Sequence, residues 1–186
     1  MAIEDPPYHK SIYQAVAQTF SIKTALYPGC GFDIAPSLYI PYVAYIDNAA
    51  YAADFFAEHR LLLQELDRRK QYSQACDISF YAADYHAQLG LPQFDLLISQ
   101  HAGPVGQIMK PFLKPGGMLL IAEGPEDAAL ALRDPDYELV GTVQWDKNGA
   151  RIVPELLSPQ FYSPPQSEEI RIPIERNFCF RKAKLS

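Results

Sequence analysis

Thr24–Asp33 reads TALYPGCGFD. Thr24-Ala-Leu-Tyr27 is a short apolar run, and Pro28-Gly29-Cys30-Gly31 stops it. The pattern predicts a buried strand that ends in a glycine turn. Glycines there free the turn from Cβ clashes and let backbone come close to a ligand. Two readings stand for Gly29-Cys30-Gly31: a ligand-binding loop and a plain tight turn.

Outward from that stretch, strand and helix signals alternate. Residues 10–20 (KSIYQAVAQTF) repeat Ile12, Val16 and Phe20 every fourth position, which predicts an amphipathic helix. Val43–Ile46 predicts a second strand ending on Asp47. Residues 49–70 hold no Pro or Gly and predict the longest helix, with Ala49, Ala53, Phe56, Leu63 and Leu66 as the apolar stripe and Asp47 or Asn48 as N-cap. Ile78–Tyr81 is a third strand ending near Asp84. Phe94–Ser99 is a fourth, apolar enough to be buried on both faces. A helix near 105–112, the Lys114–Gly117 turn, a fifth strand at 118–122, a helix at 125–132 and late strands at 137–145 and 177–182 complete the pattern. Residues 146–176, which contain Pro154, Pro159, Pro164, Pro165 and Pro173, read as a long connection or flap.

Strands alternating with helices predict a mainly parallel sheet with helices on both faces. Such sheets bind ligands outside the carboxyl ends of their strands, where strand order reverses. Four segments follow predicted strands and belong together on that rule: 28–33, 47–48, 84–85 and 99–103. Asp47 lies 18 residues after Gly29, and a carboxylate at the end of a second strand can accept both hydroxyls of a ribose. The dinucleotide pattern G-x-G-x-x-G would need glycine at position 34, which is Ile34. That disfavours a bound pyrophosphate, and with it a nicotinamide-dependent oxidoreductase, and leaves an adenosine ligand without phosphates.

Several segments in order resemble the class I S-adenosylmethionine-dependent methyltransferases. Leu26-Tyr-Pro-Gly-Cys-Gly-Phe-Asp33 is similar to their first motif. Tyr45-Ile-Asp47 resembles the acidic end of their second strand, and Ala82-Ala-Asp84 their third. Gln93-Phe-Asp-Leu-Leu-Ile-Ser99 resembles the fourth strand, and Leu113-Lys-Pro-Gly-Gly-Met-Leu-Leu-Ile121 the start of the fifth. The resemblance covers about residues 22–145. It implies a single Rossmann-like three-layer αβα domain over residues 1–186, with residues 1–20 as an N-terminal helical cap and 146–176 as the flap. It also implies a mainly parallel seven-stranded sheet with an antiparallel last strand. It implies S-adenosyl-L-methionine as cofactor, held by Pro28, Gly29, Cys30, Gly31, Asp33, Asp47, Asn48, Asp84, Tyr85 and Ser99. Two departures stand out: Asp33 replaces the third glycine of the first motif, and Pro36 and Pro41 leave room only for a brief first helix. Asp33 has two readings, a partner for the cofactor's amino group and a cap for its own turn. The departures motivate a second function, a methyltransferase-like module that binds or regulates without catalysis.

After the fourth strand comes Ser99-Gln-His-Ala-Gly103. His101 is the candidate general base, since an imidazole of pKa about 6.5 suits proton removal near neutrality. Its other reading is a histidine that only hydrogen-bonds the loop. Asp5-Pro-Pro-Tyr8 has the letters of an amino-methyltransferase motif but no strand before it, and reads as coincidence. Tyr8, Tyr13, Tyr27, Tyr39, Tyr42 and Tyr85 serve either an aromatic pocket or the ordinary core.

The 186 residues carry 16 basic and 22 acidic side chains, a formal charge of −6, which speaks against a nucleic-acid partner. No apolar run suits a membrane span. The start of the chain lacks the features of a signal peptide, and three scattered cysteines point to a reducing cytoplasm without a disulfide framework or metal cluster. A small-molecule methyl acceptor is the expected substrate.

Overall fold

The computed structural model describes residues 7–87, 89–100, 102–122, 125–146, 149–154 and 177–184. The elements run α1 (Pro7–Phe20), β1 (Thr24–Pro28), a 3-10 turn (Ala35–Leu38), β2 (Tyr42–Asp47), α2 (Ala50–Ala57), α3 (His59–Arg69), β3 (Asp77–Ala82) and β4 (Phe94–Ser99). There follow α4 (Val105–Ile108), β5 (Leu113–Ile121), α5 (Pro125–Arg133), β6 (Tyr137–Asp146), β7 (Gly149–Val153) and β8 (Asn177–Lys182). Among these described residues no helix is long and apolar enough to cross a membrane.

The strands form one sheet in the order β3-β2-β1-β4-β5-β8-β6-β7. β1 to β5 are mutually parallel. β8 runs antiparallel to β5 and to β6, and β7 antiparallel to β6. Strand order reverses between β1 and β4, so the crevice rule selects the carboxyl ends of β1, β2 and β4.

Strand alternation explains the three layers. Ala25 and Tyr27 of β1 join Val43 and Tyr45 of β2 in one core, with Ile12 and Val16 of α1 and Phe56, Leu62 and Leu66 of α2 and α3. The intervening Leu26, Ala44 and Ile46 face the other side, with Val105 and Met109 around α4 and Ala128 and Ala131 of α5. Side chains alternate across a strand, so a strand buried on both faces must be apolar throughout. The connection from β3 to β4 holds no helix among its described residues. Tyr85, Leu89 and Leu91 cover the second core there instead.

At the amino end of the sheet one carboxylate joins three strands. Asp95 Oδ2 accepts the Lys23 and Thr24 amides and the Thr24 hydroxyl at 2.9–3.1 Å. Its Oδ1 accepts Lys114 Nζ at 2.7 Å. Lys182 Nζ donates to the carbonyls of Lys110 and Leu113, which anchors β8 beside β5.

The structure departs from the sequence expectations in three places. The sheet has eight strands, one more than the seven expected: 149–153, placed in the flap, pairs with β6 as β7. Residues 147–148 and 155–176 of that flap lie outside the described residues. The expected helix 49–70 is two helices, broken at Glu58 (φ −77°, ψ 32°), so the buried positions are Ala52, Phe56, Leu62 and Leu66 rather than one continuous stripe. Its N-cap is Ala49, not Asp47 or Asn48, because the Asp47 side chain is directed to the amides of Gly31 and Ala49, ahead of the helix.

Candidate functional site

The turn after β1 is built by glycine. Gly29 (φ 67°) and Gly31 (φ 54°) both adopt the left-handed region that L side chains avoid. The Gly29 amide donates to the Ile46 carbonyl at 2.7 Å, which extends the β1–β2 pairing by one bond. The next polar group on that side is Asp47. Its Oδ2 accepts the Gly31 amide at 2.8 Å and its Oδ1 accepts the Ala49 amide at 2.9 Å. Each carboxylate oxygen can accept two hydrogen bonds. One acceptor position therefore remains on each oxygen, a spacing that suits two neighbouring hydroxyls. Asn48 is exposed beside it.

Two exposed aromatic rings stand next to this carboxylate. Phe32 and Tyr51 are each 54% exposed, with ring centroids 4.8 Å apart. Phe55 supports Phe32 from behind at 5.4 Å. The Tyr51 hydroxyl reaches over the Gly31 turn, 3.9 Å from where a Cβ on Gly31 would stand. Large exposed rings are costly to leave in water and are a common feature of binding surfaces.

Asp33 is engaged within the protein. Its Oδ2 accepts the hydroxyls of Tyr13 (2.8 Å) and Tyr27 (3.2 Å), and its Oδ1 accepts the Ala35 amide at 2.9 Å. Burial pushes the Tyr13 and Tyr27 phenols well above their ordinary range, so both remain protonated donors. The cap reading of Asp33 matches this geometry, and Tyr13 and Tyr27 are core residues. Burial, with the charge of Asp47 next, raises the Cys30 thiol far above its usual range and leaves it a poor nucleophile.

The β4 loop closes the other side. Ala102 lies against Gly29: a Cβ added to Gly29 would fall 2.3 Å from the Ala102 Cβ. The Tyr85 hydroxyl donates to the Ala102 carbonyl at 2.7 Å. Asp84, at the start of the same connection, is exposed and accepts the His86 amide and ring Nδ1 at 2.8 and 2.7 Å. The hydrogen bonds from His86 hold its carboxyl below the usual range. Ser99 is buried and its hydroxyl donates to Asp127, so its side chain does not open on the crevice. Pro28 is buried at the end of β1, in register with Ile46. His101 lies outside the described residues, as do Asp5 and Pro6.

Of the residues named from sequence, Gly29, Gly31, Asp47 and Tyr85 are therefore joined by contacts at the carboxyl ends of the strands, and Pro28 and Cys30 are buried beside them. Asp33 and Ser99 turn their side chains inward, and Asp84 is occupied by His86. Tyr51 and Asp127 escape sequence reading, while Phe32 and Ala102 fall inside the expected segments 28–33 and 99–103 without being singled out. Phe32 and Tyr51 carried a signal, one aromatic residue inside the first turn motif and one four residues after Asp47. Asp127 carried none.

No protein-family model matches the sequence, and no curated protein matches it. Solved structures do match the fold. NodS, an N-methyltransferase from Bradyrhizobium japonicum WM9, has a TM-score of 0.58 at 14% identity and covers 98% of this chain and 100% of its own. The StiE O-MT segment has a TM-score of 0.58 at 13% identity, covering 96% of this chain and 74% of its own. The [4+2]-cyclase SpnF has a TM-score of 0.52 at 18% identity, over 72% of this chain and 58% of its own. NodS is also known in complex with S-adenosyl-L-homocysteine. With these likenesses, the strand order and the glycine turn over the β1–β4 reversal, the chain has the Rossmann-like fold of the class I S-adenosylmethionine-dependent methyltransferases.

Proposed function

We propose that the protein binds S-adenosyl-L-methionine at the carboxyl ends of β1, β2 and β4 and methylates a small-molecule acceptor. One observation carries the reading: Asp47 is fixed by two backbone amides and keeps an acceptor position on each oxygen. The residues present fit the nucleoside half of the cofactor. Asp47 takes the ribose hydroxyls, the Gly31 turn leaves room for close approach, and Phe32 and Tyr51 offer apolar ring faces. The contact of Ala102 with Gly29 narrows the path for the amino-acid arm. That contact favours a second reading, a binding or regulatory module with this fold and no methyl transfer. The matched [4+2]-cyclase illustrates that the fold hosts more than one chemistry.

When bound, the cofactor supplies a methyl group on a sulfonium, open to in-line attack. The chain's own contribution is alignment, which is worth several kcal/mol when reacting atoms are held at near-attack distance. An acceptor that must lose a proton needs a base, and His101, two residues after Ser99 in sequence, takes that role in this proposal. The charge of −6 supports a small acceptor over nucleic acid. The free thiols Cys30, Cys76 and Cys179 support a reducing, cytoplasmic location.

Titration calorimetry with S-adenosylmethionine and S-adenosylhomocysteine tests the proposal. Binding to the native protein is expected, with D47A weakening it at least about tenfold, the worth of one hydrogen bond to a charged group. Absence of binding at millimolar ligand overturns the cofactor reading. Binding without methyl transfer to any small acceptor leaves the second reading in place.

A further inference from the structure

Asp127 is a carboxylate in a place where an apolar side chain would be cheaper to bury. It sits in the first turn of α5 and is 4% exposed. Desolvation of a charged group costs several kcal/mol, so a retained buried carboxylate needs partners that repay it. An acid in the first turn of a helix ordinarily serves that helix's own amides. Asp127 does not. Its Oδ2 accepts the Ser99 hydroxyl and, at 3.0 Å, the Gly106 amide, while its Oδ1 is buried without a partner.

Ser99 is the last residue of β4 and Gly106 the second of α4. One oxygen therefore holds both ends of the connection 100–104. Tyr137 of β6 adds a third tie, its hydroxyl donating to the Gly106 carbonyl at 2.7 Å. The fit at Gly106 is close: a Cβ there would lie 2.9 Å from Asp127 Oδ1 and 2.9 Å from Leu119 Cδ2, so a larger residue would displace those side chains. The middle of the connection carries Ala102 onto Gly29 and receives the Tyr85 hydroxyl. It is the β4 wall of the crevice.

We infer that Asp127 is a positioning residue: from outside the crevice it pins both ends of the β4 loop and so sets where Ala102 stands over the Gly29 turn. Its ligand readout rests on the cofactor reading above, but its structural readout does not. D127A removes the acceptor from both ends. D127N keeps one oxygen that can accept both bonds, and is the conservative rescue.

Hydrogen exchange of residues 100–107 and calorimetry with S-adenosylhomocysteine test the assignment. D127A is expected to speed exchange across 100–107 about tenfold while β4 and β5 exchange as in the native protein, and to weaken S-adenosylhomocysteine about tenfold. D127N is expected to return both to within about threefold. S99A, which frees only the β4 end, is expected to speed exchange over 100–103 and serves if D127A does not fold. Native-like exchange of the loop in D127A or in S99A overturns the assignment. So does acceleration spread evenly over the whole sheet. If the native protein binds no S-adenosylhomocysteine, the cofactor reading fails alone, and the exchange arms still decide the role of Asp127.

Discussion

The contact between Gly29 and Ala102 can be tested as a double-mutant cycle. In G29A the new methyl would start 2.3 Å from the Ala102 Cβ, against about 3.5–4.0 Å for two carbons at rest. Overpacking of this kind costs about 1–3 kcal/mol. Holding alanine at φ 67° adds about 1–2 kcal/mol. G29A alone should thus lose about 2–5 kcal/mol, or about 4–20 °C in Tm for a chain of this size. A102G alone gives up a methyl contact and some backbone order, about 1–2 kcal/mol. In G29A/A102G the methyl meets Cα of residue 102 at 3.4 Å and its amide nitrogen at 3.9 Å, which is ordinary contact. The overlap vanishes and only the φ strain remains. Urea unfolding of the four proteins should show a favourable coupling of about 1–3 kcal/mol. Additivity within about 0.5 kcal/mol would mean that Ala102 does not rest on Gly29, and the crevice would then be wider than described.

D33A should strand two buried tyrosine hydroxyls and cost about 2–5 kcal/mol by chemical denaturation. A loss below about 1 kcal/mol would show that the Tyr13–Asp33–Tyr27 arrangement does not hold the first turn. Acid stability offers a further check. Burial raises the Asp95 carboxyl, but the Lys114 ammonium and the Lys23 and Thr24 donors outweigh it and hold it below the usual range. Asp134 behaves alike, burial opposed by Lys110 and the Asp136 amide. A carboxyl depressed in the folded state stabilises above its unfolded pKa of about 3.9, and that stability is lost as pH falls through the folded value. Stability should decline below about pH 4, and K114M should make that decline shallower in urea melts read by circular dichroism. An unchanged slope in K114M would remove Lys114 from the account.

The strands were readable because each buried one is an apolar run closed by a turn signal, as Phe94–Ser99 shows by matching β4 at both ends. Strand order then placed Gly29, Gly31 and Asp47 together, since the carboxyl ends of β1 and β2 must adjoin. The break at Glu58 was not readable, for no Pro or Gly marks it and the stripe remains nearly helical on either side. β7 was missed although Asn148-Gly149 is a hairpin signal, because the prolines further on dominate the reading of 146–176. Asp33 and Ser99 occupy motif positions, yet their side chains turn inward because Tyr13 from α1 and Asp127 from α5 come to meet them. Those partners are 20 and 28 residues away in sequence, and only packing brings them close.

The placement of β8 between β5 and β6 bears on how the chain can be built. During synthesis the β6–β7 hairpin leaves the ribosome well before residues 177–182, yet in the finished sheet β8 stands between it and β5. A nascent chain stopped short of Asn177 would hold five parallel strands with the edge of β5 exposed and a hairpin with nothing to pair against. The last strand works as a keystone, and translation must deliver it before the two halves of the arch can join.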